Sequence, residues 1–122
     1  MFGVVTKALV RLVRAPEACK TMLGVFESVD AASQTVSDII GAGIVPGALE
    51  MMDQLITGAI EQAYHFGFPL DAGALLIVEL DGLRAGMEEQ ADRVIEICRK
   101  NGAASSGSPT AGGMVIRPRT SR

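Results

Sequence analysis

Glu50, Glu79 and Asp81 are the residues of this 122-residue sequence whose types and spacing come nearest to chemistry. Side chains alternate along a strand, so Glu79 and Asp81 share one face of any strand containing them, and Glu50 of a neighbouring strand can join that face. Three clustered carboxylates could hold a hard cation or act as acid and base. No histidine accompanies them in the sequence, so polar residues on an open sheet face are the expected reading. His65 is the single histidine, set between Tyr64 and Phe66 at the predicted end of a helix, where a cation is welcome as a C-terminal cap. One histidine without a supporting spacing makes no Ser-His-Asp or Cys-His arrangement. Cys98 falls in an apolar stripe and is expected to be a buried small residue. Cys19 precedes the first predicted strand of the main body and is expected near the surface. Met51, Met52 and Met87 have the spacing of core residues rather than of an adaptable binding surface. No glycine-rich phosphate loop of the GxGxxG or GxxxxGK[ST] kind is present.

The elements that must position these residues follow from hydrophobic periodicity. Val4 to Val13 fits either a strand or one helical face, and its valines favour the strand. Lys20 to Ser28 is a predicted strand. Asp30 is a predicted N-cap for a helix over Ala31 to Ala42, with Ala32, Val36, Ile39 and Ile40 on one face and Gly43 beyond its end. Gly47 to Met52 is a short apolar strand, and Leu55, Ile56, Ala59, Ile60 and Ala63 repeat at helical spacing over Asp53 to His65. Ala74 to Leu80 (ALLIVEL) is the clearest strand. Asp81-Gly82 is a predicted turn into a helix over about Arg84 to Lys100, with Met87, Ala91, Val94, Ile95 and Cys98 buried and Glu88, Glu89, Asp92, Arg93 and Glu96 facing water. Asn101-Gly102 closes it. The order predicts an α+β fold, a ferredoxin-like βαββαβ plait with an extra helix between strands two and three. Its last strand is expected to be missing or replaced, with Met114 to Ile116 as a possible stub. Ala103 to Gly113 has no periodicity and is expected to be a disordered tail.

Composition narrows the partners. Hydrophobic residues are 48% of the chain, aromatics 4%, and the formal net charge is -3. A mildly acidic chain without a basic stripe is a poor nucleic-acid binder. There is no apolar run of about 18 residues, so no membrane span is expected. Lys7 and Arg11 interrupt the apolar N-terminus, which argues against a signal peptide. Two cysteines without a CxxC pair suit a reduced, cytoplasmic setting.

The opening FGVVTKALVRLV with RAPEA is similar to the passage from the flavin-binding domain to the cap domain in FAD-linked oxidases, among them glycolate oxidase flavin subunits and D-lactate or D-2-hydroxyglutarate dehydrogenases. FESVDAASQTVSDIIGAGIVPGALEMMD, FGFPLDAGALLIVELDG and RKNGA resemble the first half of that cap, and the likeness runs from Phe2 to about Ala103. The resemblance implies an FAD enzyme that takes a hydride from a 2-hydroxy acid, of which this chain is a fragment expected to be inactive alone. It implies that residues 1–15 end the flavin-binding domain, that residues 16–103 are a partial cap, and that residues 104–122 lie outside the likeness, as a truncation or frame shift would leave them. Gly3, Val4, Val5 and Thr6 match the stretch that runs beside the flavin in the family, so contact with FAD is implied only when the missing domain is there. No catalytic residue and no metal ligand is carried over. The alternative from another class is a stand-alone α/β ligand-binding or assembly module. Both readings expect self-association through an exposed sheet edge.

Overall fold

A computed structural model describes residues 2–12 and 14–103, with the backbone of 115–117. The elements follow in the order β1 (Ala18–Phe26), α1 (Val29–Gly41), β2 (Ala48–Asp53), α2 (Gln54–Tyr64), β3 (Ala74–Gly82), α3 (Met87–Lys100) and β4 (Val115–Arg117). All the strand pairs are antiparallel, and the sheet order is β2-β3-β1-β4. That is the α+β plait expected from the element order, with α2 as the additional helix. The last strand position is filled: Val115–Arg117 pairs with Thr21–Leu23, three residues along a nine-residue neighbour.

Alternation divides the sheet into two faces. Met22 and Phe26 of β1 and Ala74, Leu76, Val78 and Leu80 of β3 point to the side covered by α1 and α3. There they meet Ala32 and Ile39 from α1 and Met87, Ala91, Val94 and Cys98 from α3. Each large apolar side chain removed from water here contributes about 1.5–3 kcal/mol before chain entropy is set against it. The stripe expected on α3 is the stripe observed, with Ile95 half-buried at its margin. Glycine is required at Gly73, where a Cβ would overlap the carbonyl oxygen of Glu27, so β3 enters the sheet pressed against the end of β1.

Several boundaries differ from the sequence expectation, each for a local reason. Ser28 rather than Asp30 caps α1: its hydroxyl accepts the Ala31 N–H at 3.2 Å, and Asp30 sits in the first turn near the positive end of the helix. β1 spans Ala18–Phe26, which places Lys20 inside the strand rather than at its start. Asp81 and Gly82 do not turn; they extend β3, with Gly82 opposite Ala18, and α3 begins at Met87 after Gly86, which has φ 86°. Residues 2–12 are not a strand. They lie outside any helix or strand, and Phe2, Val4, Val5, Leu9, Val10 and Leu12 are exposed. A valine-rich segment becomes a strand only where an edge receives it, and β4 sits beside β1. The expected disordered tail falls mostly on residues outside those described.

Candidate functional site

The face of the sheet opposite α1 and α3 carries the residues singled out for chemistry. Cys19, Thr21, Leu23 and Val25 of β1 stand across from Asp81, Glu79, Ile77 and Leu75 of β3, and Ala48, Glu50 and Met52 of β2 pair with Glu79, Ile77 and Leu75. One end of this face is apolar. Val25, Leu75 and Ala72 form a small second core, with Leu23, Met52 and Phe68 packed against it.

α2 and the loop after it hold that end together. Asp53 ends β2 and caps α2, its carboxylate accepting the Ile56 N–H at 2.8 Å while its carbonyl accepts the buried Thr57 hydroxyl at 2.8 Å. At the far end, His65 takes the left-handed conformation, φ 54°, and its N–H donates to the Glu61 carbonyl. A left-handed residue is a common way to finish a helix, usually with glycine. His65 is therefore the expected cap, through its backbone conformation. The Glu61 carboxylate accepts the N–H groups of Phe68 at 2.9 Å and Gly67 at 3.0 Å, and the Phe68 bond chiefly holds its pKa below the usual carboxylate value. Gln54 donates to the Leu70 carbonyl across the same loop. The loop is thereby fixed so that Phe68 reaches the second core.

The other end of the open face is polar. Glu79 is half-buried beside Thr21, whose hydroxyl lies 3.4 Å from its Oε2. Asp81 is exposed and leans over Gly47, where a Cβ would stand 2.8 Å from the Asp81 carboxylate carbon. Glu50, opposite Ile77, is one diagonal step from Glu79 on the same face. The three carboxylates do share a face, as the alternation requires. Yet among the described residues no three His, Cys, Asp or Glu side chains approach closely enough to hold a metal ion. A two-residue repeat fixes the face but not the distance.

The remaining candidates scatter. Gly3, Val4, Val5 and Thr6 lie in the exposed N-terminal segment, and a Cβ built on Gly3 would meet nothing within 4 Å. No other described residue packs against Gly3. Cys98 is buried among α1, α3 and the sheet, and burial pushes its thiol up to about 11. Cys19 is half-buried on the open face. Met87 and Met52 pack as expected, but Met51 is exposed at the sheet edge. The helical spacing of Leu55 and Ile56 does place them in α2, where both are exposed, as are Tyr64, Phe66 and Leu70 beyond it. Tyr64 and Phe66 stack at 5.6 Å, and Phe66 meets Phe68 at 5.7 Å. The aromatic triplet at alternate positions was the only signal in the sequence for this patch.

Comparison with known proteins gives consistent answers. The family model for FAD linked oxidases, C-terminal domain, matches residues 15–115, twelve residues beyond the point where the likeness was expected to stop. The chain is 45% identical over 103 residues to the glycolate oxidase subunit GlcD of Escherichia coli (strain K12), covering 84% of this chain and 21% of that protein. It is equally similar to GlcD of Bacillus subtilis (strain 168), over 22% of that protein. A probable mitochondrial D-lactate dehydrogenase of Danio rerio is 29% identical over 102 residues, 84% of this chain and 20% of its own length. The chain thus spans about a fifth of the length of these relatives. Among solved structures, an alkyldihydroxyacetonephosphate synthase matches with TM-score 0.59 and 17% identity, over 72% of this chain and 20% of that one, which is a likeness of fold. The chain belongs to the family of FAD linked oxidases, C-terminal domain.

Proposed function

We propose that this chain is part of the cap of an FAD-dependent 2-hydroxy-acid dehydrogenase of the glycolate or D-lactate type, and that it does not turn over substrate alone. The identity to GlcD carries the reading. In it, residues 1–15 end the flavin-binding domain, and the partial cap begins at residue 16 and takes in β4, Val115–Arg117, as its last strand. The bare apolar side chains of residues 2–12 are what a strand torn from its sheet would present. Gly3, Val4, Val5 and Thr6 would run beside FAD only with the rest of that domain around them, and the 2-hydroxy acid would be bound between the two parts. The flavin, when bound, supplies the hydride acceptor. This chain's share is a wall, with Thr21, Glu79, Asp81 and Glu50 as its polar residues.

Complementation tests the reading. GlcD without the matched region, supplied as the two pieces that flank it, is mixed with this chain and assayed for FAD-dependent oxidation of glycolate and of D-lactate. Turnover recovered only when this chain is added is expected; folded pieces that give no turnover with it would sink the proposal. A second reading, the stand-alone binding or assembly module, has one observation in its favour, the occupation of all four strand positions of the plait.

A further inference from the structure

β4 lies along β1, so the fully open edge of the sheet is that of β2. Among the described residues β2 pairs only with β3, and its outer backbone N–H and C=O groups face away from the sheet. Natural edges are normally guarded by lysine, proline, a bulge or a covering loop. The strand ALEMMD has neither lysine nor proline, its charges are Glu50 on the open face and Asp53, which caps α2, and its register with β3 runs unbroken from Ala48 opposite Glu79 to Asp53 opposite Ala74.

A second feature adjoins that edge. Ser33 of α1 contacts Met51 through its hydroxyl, 3.9 Å from the sulfur, so the side of α1 bearing Ser33 overhangs β2. Val29, Ser33, Val36 and Ile40 follow at intervals of four, three and four and therefore form one stripe, with the spacing of a helix–helix seam. Val29 is 41% exposed and Ile40 50% exposed, and Met51 directly below is 44% exposed. The stripe carries no charge. Its polar member, Ser33, is small enough to let another helix approach.

From this juxtaposition we propose that the β2 edge and the Val29–Ser33–Val36–Ile40 stripe form a twofold interface with a second copy of this chain. A twofold axis normal to the sheet through Met51 makes β2 antiparallel to its counterpart and keeps the helical layers of both copies on the same side. Met51 then meets the second copy's Met51, Glu50 falls opposite Met52, and Leu49 opposite Asp53. No carboxylate faces itself. The two α1 helices run antiparallel, apolar stripe to apolar stripe. Such a self-complementary surface is what a twofold contact requires.

Its size sets the strength. Six strand residues at ~3.4 Å each give an edge of ~20 Å, and a helix layer on a sheet layer is ~20 Å deep. The footprint is ~400 Å² per copy, ~800 Å² in all, short of the ~1,000 Å² of a stable dimer, so the contact is a transient one. The association is therefore concentration-dependent.

Light scattering on the full 122-residue chain tests this. The mass is expected to rise from 12.8 kDa at low micromolar protein towards twice that value at several hundred micromolar. Met51→Lys puts two ammonium groups face to face at the axis, and Ile40→Glu places a carboxylate in the stripe; both positions are half exposed, so both variants should retain the circular dichroism of the parent. Each should remain monomeric over the full range. A parent chain that stays monomeric, that forms open-ended aggregates, or that dimerises unchanged with either folded variant would overturn the interface. So would a dimer lost only when residues 1–14 are removed, because the contact would then belong to the N-terminal segment.

Discussion

Phe26→Ala and Phe66→Ala make the same chemical change on the two sides of this molecule and should differ severalfold in cost. Phe26 is 1% exposed and sits in the main core under α1 and α3. Its ring also lies where a Cβ on Gly24 would stand, 2.8 Å from Cε2, so the neighbouring backbone has already closed around it. Truncation there loses the transfer of the ring from water and leaves a cavity, for a cost of about 3–5 kcal/mol. A body of this size, residues 18–103, has a stability of roughly 4–13 kcal/mol, so the variant gives up a large part of it. Phe66 is 58% exposed, and its ring meets those of Tyr64 and Phe68. Aromatic pairs contribute about 0.5–1.5 kcal/mol each, with exposed ones at the low end, so losing the two should cost around 1 kcal/mol. Urea unfolding followed by far-ultraviolet circular dichroism reads both, since the chain has no tryptophan. With a slope near 1–1.5 kcal/mol per molar, the Phe26 variant should lose about 2–5 M in midpoint and the Phe66 variant about 1 M or less. Comparable losses at the two sites would refute the reasoning, because they would mean that the Tyr64–Phe68 ladder is covered in solution.

Acid should weaken the fold through two carboxylates. Asp38 accepts from the Asn101 side chain at 3.0 Å and from Gln34 at 2.8 Å, with the Asn101 bond the larger cause of its lowered pKa, and Glu61 is lowered chiefly by the Phe68 N–H. A folded pKa below the unfolded one contributes stability above the unfolded value and loses it as pH falls through the folded one. The urea midpoint should therefore drop between roughly pH 5 and pH 3, less so in Asp38→Asn; a flat profile would contradict the assignment. Cys98, with its thiol raised to about 11, should resist iodoacetamide at neutral pH until urea unfolds the chain. Mass spectrometry of the labelled peptide shows whether it does.

How much of this was legible depended on what each pattern encodes. The run ALLIVEL and the stripe Met87, Ala91, Val94 and Cys98 gave β3 and α3, because both are buried and nothing competes with their periodicity. Ser28 and Asp30 are equally good caps on paper, and the choice came from where the chain leaves β1. The stretch from Val4 to Val13 alternates like a strand, yet strand formation needs a partner edge, which a local pattern does not contain. α2 shows the same limit: Leu55, Ile56 and Ile60 share a helical face, but periodicity says which residues face together and not whether anything covers them. Buried Thr35 and Thr57 lay outside that logic altogether. Each hydroxyl donates to the carbonyl four residues earlier, Ala31 and Asp53, which satisfies the group without a partner elsewhere. For the open face, alternation put Glu50, Glu79 and Asp81 together, but their separation depends on strand register and twist.

The uneven covering of the two faces bears on why the exposed apolar residues lie where they do. On the α1/α3 side the core is closed, from Phe26 to Ala103, and no buried polar side chain among the described residues lacks a partner. On the other side only one end is sealed, by Phe68 and Ala72, and the remaining uncovered apolar groups are grouped rather than scattered. Apart from Val45 and Leu83, they lie along residues 2–12, along Leu55 and Ile56 with Tyr64, Phe66 and Leu70, and beside the β2 edge. Isolated exposed hydrophobics are ordinary on any surface, whereas contiguous ones mark contact with another body. The β2 edge is self-complementary and the α1 stripe beside it carries no charge, and so the pair suits a second copy. The N-terminal segment has neither property: it carries Lys7 and Arg11 among its apolar residues, and it leads into β1 at the polar end of the open face, where Cys19 stands opposite Asp81. Those two surfaces should therefore fail separately, the edge on Met51→Lys and the segment on removal of residues 1–14. That independence is what allows dimerisation and complementation to be judged apart.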